Sequence, residues 1–442
     1  MRAHDFVFAG YAFDQAPSCL SLRYRYEGGP SFEERVFFDF AGRALSPPEE
    51  EALDRVFRLI LLLSGVSYYK AFAPQRLVSE AFPIDAPTAA FVEKFYRKGL
   101  AEFAFKNGIS LAERPSFETA SLEPPAPVSL DLPRRSLVPV GGGKDSIVTL
   151  ECLKKAGEPL LLFAVGDAEP IAETIAASGL PAVRARRRLD PAIFALNRKG
   201  AMNGHVPVTG ILSGIALAAA ILKGADRVVM ANEHSASAGN LVIDGVEINH
   251  QFSKSFEFER DFSNYIERAV GKGLGYFSLL RPLSEIAIAA RFSRFPQYFE
   301  KFRSCNAAFR QDPKVRAEGW CGNCPKCRFV FLALAPFLAK RDLIAIFGRD
   351  LLAEPEQLAG FRALCGLGDW KPFECVGEVS ESAAVVAHLA AQKEWESEPV
   401  LRELAADLRS SRQELADFSS LFPNRHPHRV PEAYLQMLDA CR

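Results

Sequence analysis

The chain has 442 residues, with 53 Lys and Arg against 54 Asp and Glu, a formal net charge of -1. Hydrophobic residues make up 48% and charged residues 24%, which excludes a mainly disordered chain, a collagen-like repeat and a bare coiled coil. The length implies two or three domains and a core that needs no staples. The near-neutral charge argues against a nucleic-acid partner, which would need a basic field.

No segment reaches the roughly 18 apolar residues of a membrane helix. The longest candidate, Ile211 to Leu222, is too short and contains Ser213. The start, Met1 to Asp5, lacks the apolar region of a signal peptide. A cytoplasmic protein without a membrane partner is expected. Nine cysteines are too few for a disulfide scaffold in a chain of this length.

Residues 1 to about 45 read as β structure. Leu20, Leu22, Tyr24 and Tyr26 alternate with Ser21, Arg23 and Arg25, the period of a half-buried strand. Gly28-Gly29-Pro30 signals a turn, and a second strand follows through Val36, Phe37, Phe38 and Phe40. Ser46-Pro47-Pro48-Glu49-Glu50 looks like a helix start, with Ser46 as cap and acids in the first turn. Helical patterns run from Phe57 to Leu63 and from Ala89 to Phe105. The proline-rich stretch 123–127 sustains neither a helix nor a central strand and reads as a linker. Residues 1–125 are therefore expected to form an amino-terminal α+β domain.

From Ser136 the pattern becomes strand, glycine-rich turn, helix, strand. Leu137 to Val140 is short and apolar, Ser146 to Ala156 carries Ile147, Leu150 and Leu153 at helical spacing, and Pro159 to Val165 is a continuous apolar run. Further strands are expected at 182–186 and 227–231, with a helix at 209–222 between them. Buried runs alternating with helices mean a parallel α/β sheet, here spanning 134–300. Residues 301–442 read as a cysteine-rich knuckle followed by helices.

Gly141-Gly142-Gly143-Lys144-Asp145-Ser146 ends one strand and opens a helix. Glycines allow positive φ and close approach to an anion. Successive N–H groups and the helix N-terminus attract phosphate. Lys144 adds a charge, Asp145 can hold Mg²⁺, and Ser146 can donate to a phosphate oxygen. The plain alternative is a tight strand-to-helix turn. The spacing is not that of a Walker loop or of Gly-x-Gly-x-x-Gly. It resembles the Ser-Gly-Gly-x-Asp-Ser signature of the PP-loop ATP pyrophosphatase superfamily, with Gly141 in place of the first Ser. That resemblance implies an adenine nucleotide α-hydrolase-like core, cleavage of ATP to AMP and pyrophosphate, and transfer of AMP to a substrate oxygen. It also implies adenine near the end of the second strand, at Gly166 and Asp167.

Cys321, Cys324 and Cys327 lie at i, i+3 and i+6, and Cys305 precedes them by sixteen residues. Four thiolates at such spacing suit a closed tetrahedral zinc site. Reduced core cysteines are the alternative, and an iron–sulfur cluster lacks the further Cys-Pro of the bacterial ferredoxin run. The run resembles the zinc knuckle of 7-cyano-7-deazaguanine synthases.

Other polar stretches fall where parallel strands should end. Asn203 and His205 lie in a Gly/Pro-rich loop, and Glu233 and His234 follow an apolar strand. These are candidate proton carriers or ligands, or an ordinary loop and a helix cap. Arg184, Arg186, Arg187 and Arg188 form either a solvated face or an anion clamp. His250 and Lys254, in Asn249 to Ser255, belong to a substrate loop or a surface loop. His426 and His428 read as an exposed tail feature.

Together, Val138–Ser146, Asn203–Pro207, Asn232–Ala236, Asn249–Ser255, Cys321–Cys327 and, in the amino-terminal region, Leu63–Lys70 resemble the UDP-N-acetyl-α-D-muramoyl-L-alanyl-L-glutamate epimerase family. The resemblance implies a UDP-muramoyl dipeptide as substrate, ATP and Mg²⁺ as requirements, and a place in peptidoglycan precursor synthesis. Lys144 and Asp145 would serve adenylation, and His205, Glu233, His234 or Cys152 the proton exchange, although Cys152 reads as core. Arg186, Asn203, His250 and Lys254 would bind substrate. The rivals are another PP-loop adenylating enzyme, amidating a deazapurine or thiolating a nucleobase, and a non-catalytic nucleotide-binding regulator.

Overall fold

The computed structural model describes residues 5–441, apart from 40–42, 112–113, 124, 244–245, 310–316, 369–370, 412–413 and 424–425. Fourteen strands are present among them. The first six are β1 (Asp5–Asp14), β2 (Cys19–Tyr26), β3 (Ser31–Phe38), β4 (Arg76–Ser79), β5 (Ser116–Phe117) and β6 (Val128–Ser129). Then come β7 (Ser136–Pro139), β8 (Leu160–Val165), β9 (Ala182–Arg188) and β10 (Arg227–Met230). The last four are β11 (Leu241–Ile243), β12 (Val246–Ile248), β13 (Gly271–Lys272) and β14 (Gly275–Ser278).

Ten of these strands make one sheet, ordered β14-β10-β7-β8-β9-β3-β2-β1-β4-β5. From β14 to β9 every pair is parallel. β9 then meets β3 antiparallel, with Val36 opposite Arg187, so strands from residues 1–125 and from 134–300 share a single sheet. The alternation read at Leu20 to Tyr26 is the observed burial pattern, with those four side chains inside.

The parallel strands are covered on both faces. Along β7, Leu137 packs into one core and Val138 into the other, and Val228 and Val229 of β10 divide in the same way. On the first face lie the helices Pro47–Ser64 and Val208–Lys223. The former starts with a capping box between Ser46 and Glu49. The latter is apolar around most of its circumference and stops at Gly224 in the left-handed region. The second face carries the helices Lys144–Lys155, Glu285–Phe292 and Pro325–Leu334, followed by the helical segments that run to the end of the chain. Cys152 is buried there and bonded to Cys441. No helix among the described residues is long and apolar enough to cross a membrane.

Candidate active site

The parallel strands run β9-β8-β7 to one side and β10-β14 to the other, so the order reverses between β7 and β10. Crevices for ligands in open α/β sheets form at such reversals, beyond the carboxyl ends of the strands. A cavity of about 480 Å³ opens at this point, lined by Gly141, Gly143, Lys144, Asp145 and Ser146 after β7 and by Asn232 and Glu233 after β10. Phe163 and Val165 of β8 give it an apolar side.

The loop is shaped by its glycines. Gly142 has φ +81° and lies against Pro170, where an added Cβ would come 2.9 Å from the backbone carbonyl carbon. Its own carbonyl accepts from the Arg303 N–H at 2.8 Å, which ties the loop to the segment before the cysteine knuckle. Gly143 is the N-cap of the helix Lys144–Lys155 and offers no capping side chain. The Ser146 hydroxyl donates back to the Gly143 carbonyl at 3.0 Å. The first-turn N–H groups therefore point toward the cavity without a side-chain acceptor at the cap, the arrangement that suits an anion.

Lys144 is buried and pairs with both Asp145 and Glu285. Burial alone would lower its pKa, but the two carboxylates outweigh that and hold it above the ordinary lysine value. Glu285 accepts no water-exposed position either: it is buried, and its N–H donates to Glu381 Oε1 at 2.8 Å. Burial pushes Glu381 up to about 7. Asp145, Glu233 and Glu285 line the cavity with Glu381 behind Glu285, an acidic group faced by Lys144 and Lys254. Such a set is suited to holding a hard cation such as Mg²⁺ through Asp145 while Lys144 faces phosphate oxygens.

Beside this acidic group lies a second network. The Lys254 ammonium donates to Cys375 Sγ at 3.3 Å, and both residues line the cavity. His250 also hydrogen-bonds Cys375, and its Nδ1 pairs with Glu102. Burial would raise the Cys375 thiol, but Lys254, Lys326 and His250 pull it down to about 6. For His250, burial works downward and is outweighed by Cys375 and Glu102, which raise it to about 9. His205 lies tilted against His250 with ring centroids 4.3 Å apart, and burial and that neighbour lower it to about 4. Lys106 also pairs with Glu102, so positive charge already adjoins the Glu102–His205–His250 group.

The structure separates the residues expected from sequence. Gly141 to Ser146, Glu233 and Lys254 meet at the cavity, with His250 directly behind Cys375. His205 stands one layer further back, 3.8 Å from Glu102. Asn203 accepts from the buried Lys70 ammonium and does not line the cavity. His234 points elsewhere: it stacks on His426 at 3.4 Å and lies 3.5 Å from Glu378. His426 is thus half-buried and partnered, which corrects the reading of an exposed tail feature. Arg186 is exposed on β9, whereas Arg187, one residue on, is half-buried and pairs with Glu34 and Ser67. Gly166 has φ +87° at the end of β8, and Asp167 is exposed beside it.

Cys305, Cys321, Cys324 and Cys327 converge. The Cys321–Cys327, Cys305–Cys324 and Cys324–Cys327 sulfurs are 3.7, 3.9 and 3.5 Å apart. Tetrahedral zinc with bonds of about 2.3 Å would require sulfur separations of about 3.8 Å, so the ligand set fits. Gly322 turns the knuckle at φ +68°. Cys324 caps the helix Pro325–Leu334, accepting from the Cys327 N–H at 3.4 Å, and Lys326, Phe329 and Val330 of that helix face the cavity. The knuckle therefore fixes one wall of the site.

Glu102, Glu285, Cys375 and Glu381 were not expected from sequence. None lies in a glycine-rich, cysteine-rich or strand-end motif, and their roles arise from contacts across 96 to 148 residues of chain.

The chain matches the MurL N-terminal domain model over residues 1–279 and the MurL C-terminal domain model over residues 301–419. It is 44% identical over 444 residues to the UDP-N-acetyl-alpha-D-muramoyl-L-alanyl-L-glutamate epimerase of Salinispora tropica, covering 99% of this chain and 96% of the relative. The similarly named protein of Micromonospora sp. is 43% identical over 442 residues, covering 99% and 98%. That of Xanthomonas oryzae pv. oryzae is 42% identical over 403 residues, covering 91% and 89%. With both domain models matched and relatives aligned along almost its whole length, the chain belongs to the UDP-N-acetyl-α-D-muramoyl-L-alanyl-L-glutamate epimerase family.

Proposed function

We propose that the protein epimerises the terminal L-glutamate of UDP-N-acetylmuramoyl-L-alanyl-L-glutamate to D-glutamate. ATP activates the α-carboxylate as an acyl-adenylate, and AMP and diphosphate are released. The relatives' names support the substrate and the epimerisation. The observation that carries the ATP requirement is the Gly141–Ser146 loop, which opens an uncapped helix start into the cavity next to Lys144 and Asp145.

The chemistry gives activation a purpose. Removing the Cα proton beside an ionised carboxylate would create a dianion. Adenylation removes that charge and makes the same proton far more acidic, so a positioned base can take it. Reprotonation from the other face inverts the centre, and hydrolysis returns the acid and AMP. Lys144, the loop N–H groups and Mg²⁺ held through Asp145 would stabilise charge on the departing diphosphate. Zinc, held by Cys305, Cys321, Cys324 and Cys327, would be structural, because four protein ligands leave no open position. The product places the protein in peptidoglycan precursor synthesis, in the cytoplasm where the UDP-linked precursor is made.

Purified protein given the dipeptide, ATP and Mg²⁺ is expected to yield AMP and the D-glutamyl epimer. AMP accumulating while the product stays wholly L would remove the epimerase half and leave the adenylating half. A deazapurine that drives AMP release in place of the dipeptide would favour an amidating enzyme.

A further inference from the structure

Inverting a carbon centre through a planar intermediate requires proton transfer at two faces, and the cavity offers few groups for it. His234 is turned away onto His426, and His205 lies behind His250. Cys152 is buried against Cys441. Of the remaining cysteines, Cys19 and Cys365 are buried outside the cavity and four others form the knuckle. Cys375 alone among them lines the cavity, and it is only partly covered. We propose that Cys375 exchanges the proton at the substrate Cα on one face, with Lys254 and the His250–Glu102 pair as its positioning residues. This rests on the epimerase reading above.

The geometry is that of a prepared sulfur. Two donors converge on it: the Lys254 ammonium at 3.3 Å, and His250, which is held from behind by Glu102. The Glu102 carboxylate on Nδ1 fixes the His250 ring and keeps it a donor toward sulfur, as second-layer carboxylates do for catalytic histidines generally. Lys326, on the knuckle helix, adds a further positive charge facing the sulfur. The thiolate so favoured is the reactive form of cysteine. The same cavity holds the Gly141–Ser146 loop together with Glu233, Lys254 and Cys375, so a carboxylate adenylated at that loop shares one cavity with the sulfur.

The proton balance is simple. The Cα–H bond breaks, its electron pair enters the activated carbonyl as an enolate, and an S–H bond forms on Cys375. A second group returns a proton to the opposite face. Cys375 then loses its proton to solvent before the next turnover. No oxidant or further reactant is required.

The test compares unsubstituted enzyme with Cys375→Ser in D₂O, using dipeptide, ATP and Mg²⁺, and follows pyrophosphate, the L/D ratio and deuterium at Cα. Unsubstituted enzyme is expected to release pyrophosphate and place deuterium in the D product. In Cys375→Ser, pyrophosphate release should persist, while D product and deuterium fall by about 100- to 10,000-fold. Epimerisation at the unsubstituted rate in that variant overturns the proposal and leaves the epimerase reading intact. No D product from the unsubstituted enzyme removes that reading and the proposal with it. Should the variant fail to fold, iodoacetamide labelling of the unsubstituted protein decides. Alkylation mapped to Cys375, blocked by substrate with ATP and paralleled by loss of epimerisation but not of pyrophosphate release, supports the role. Alkylated Cys375 with full epimerisation overturns it. Substrate bound to Cys375 as a thioester would make the residue a nucleophile and also overturn it.

Discussion

Replacing Gly142 by Ala perturbs the anion loop at a position where both backbone and space oppose a side chain. At φ +81° an L-residue is disfavoured by about 1–2 kcal/mol. The new Cβ would sit 2.9 Å from the Pro170 carbonyl carbon and 3.0 Å from its oxygen, backbone atoms that cannot rotate away. Overpacking of this kind costs about 1–3 kcal/mol. Together these give about 2–5 kcal/mol if the loop stays in place. If it moves, the Gly142 carbonyl loses its 2.8 Å bond from the Arg303 N–H, and the loop N–H groups shift by an ångström-scale distance. A misplacement of that size reduces turnover by about 100-fold. The assay is pyrophosphate release at saturating dipeptide with ATP varied, alongside circular dichroism to confirm the fold. Gly141→Ser is the comparison, because a Cβ on Gly141 meets open space. It should fold and turn over within about tenfold of the unsubstituted protein, by the small cost of an exposed, unstrained change. Unchanged kinetics in Gly142→Ala would refute the claim that this loop shape matters for ATP.

Three further outcomes follow from the same geometry. Asp145→Ala should abolish AMP formation, and retained turnover would take the loop out of the mechanism. Cys324→Ser keeps an N-cap acceptor for the helix Pro325–Leu334 while removing one thiolate, so zinc measured by elemental analysis should fall from about one per chain and the melting temperature should drop. Unsubstituted protein purified without zinc would contradict the assignment. His250 is raised to about 9, so the stability it gains from Cys375 and Glu102 is complete below its unfolded value near 6.5 and is lost as pH rises through about 9. Glu102→Gln should flatten that part of the melting-temperature profile between pH 6.5 and 9, and an unchanged slope would show that the pair does not stabilise His250 in its charged form.

The features legible in the sequence were those written locally. An apolar strand, three glycines and Lys-Asp-Ser occupy ten consecutive residues, and both the loop and the helix formed where they were expected. The cysteine knuckle was readable for the same reason, since Cys321, Cys324 and Cys327 lie within one short run. The sheet's continuity through β3 and β9 was not readable, because antiparallel pairing between distant strands leaves no mark in either strand's period. Arg186 and Arg187 differ only by the alternation of β9, which turns Arg187 onto Glu34 and leaves Arg186 exposed. The charges that complete the site were hidden most fully: Glu285 reaches Lys144 across 141 positions, Glu102 reaches His250 across 148, and Lys254 reaches Cys375 across 121.

The central claim is that inversion of the glutamyl centre is coupled to ATP cleavage at residues 141–146. The most direct measurement follows AMP, diphosphate and the D-glutamyl product together, in one reaction with UDP-N-acetylmuramoyl-L-alanyl-L-glutamate, ATP and Mg²⁺. The account predicts that all three appear in step and that none forms when ATP is left out. D product formed at full rate without ATP would contradict it.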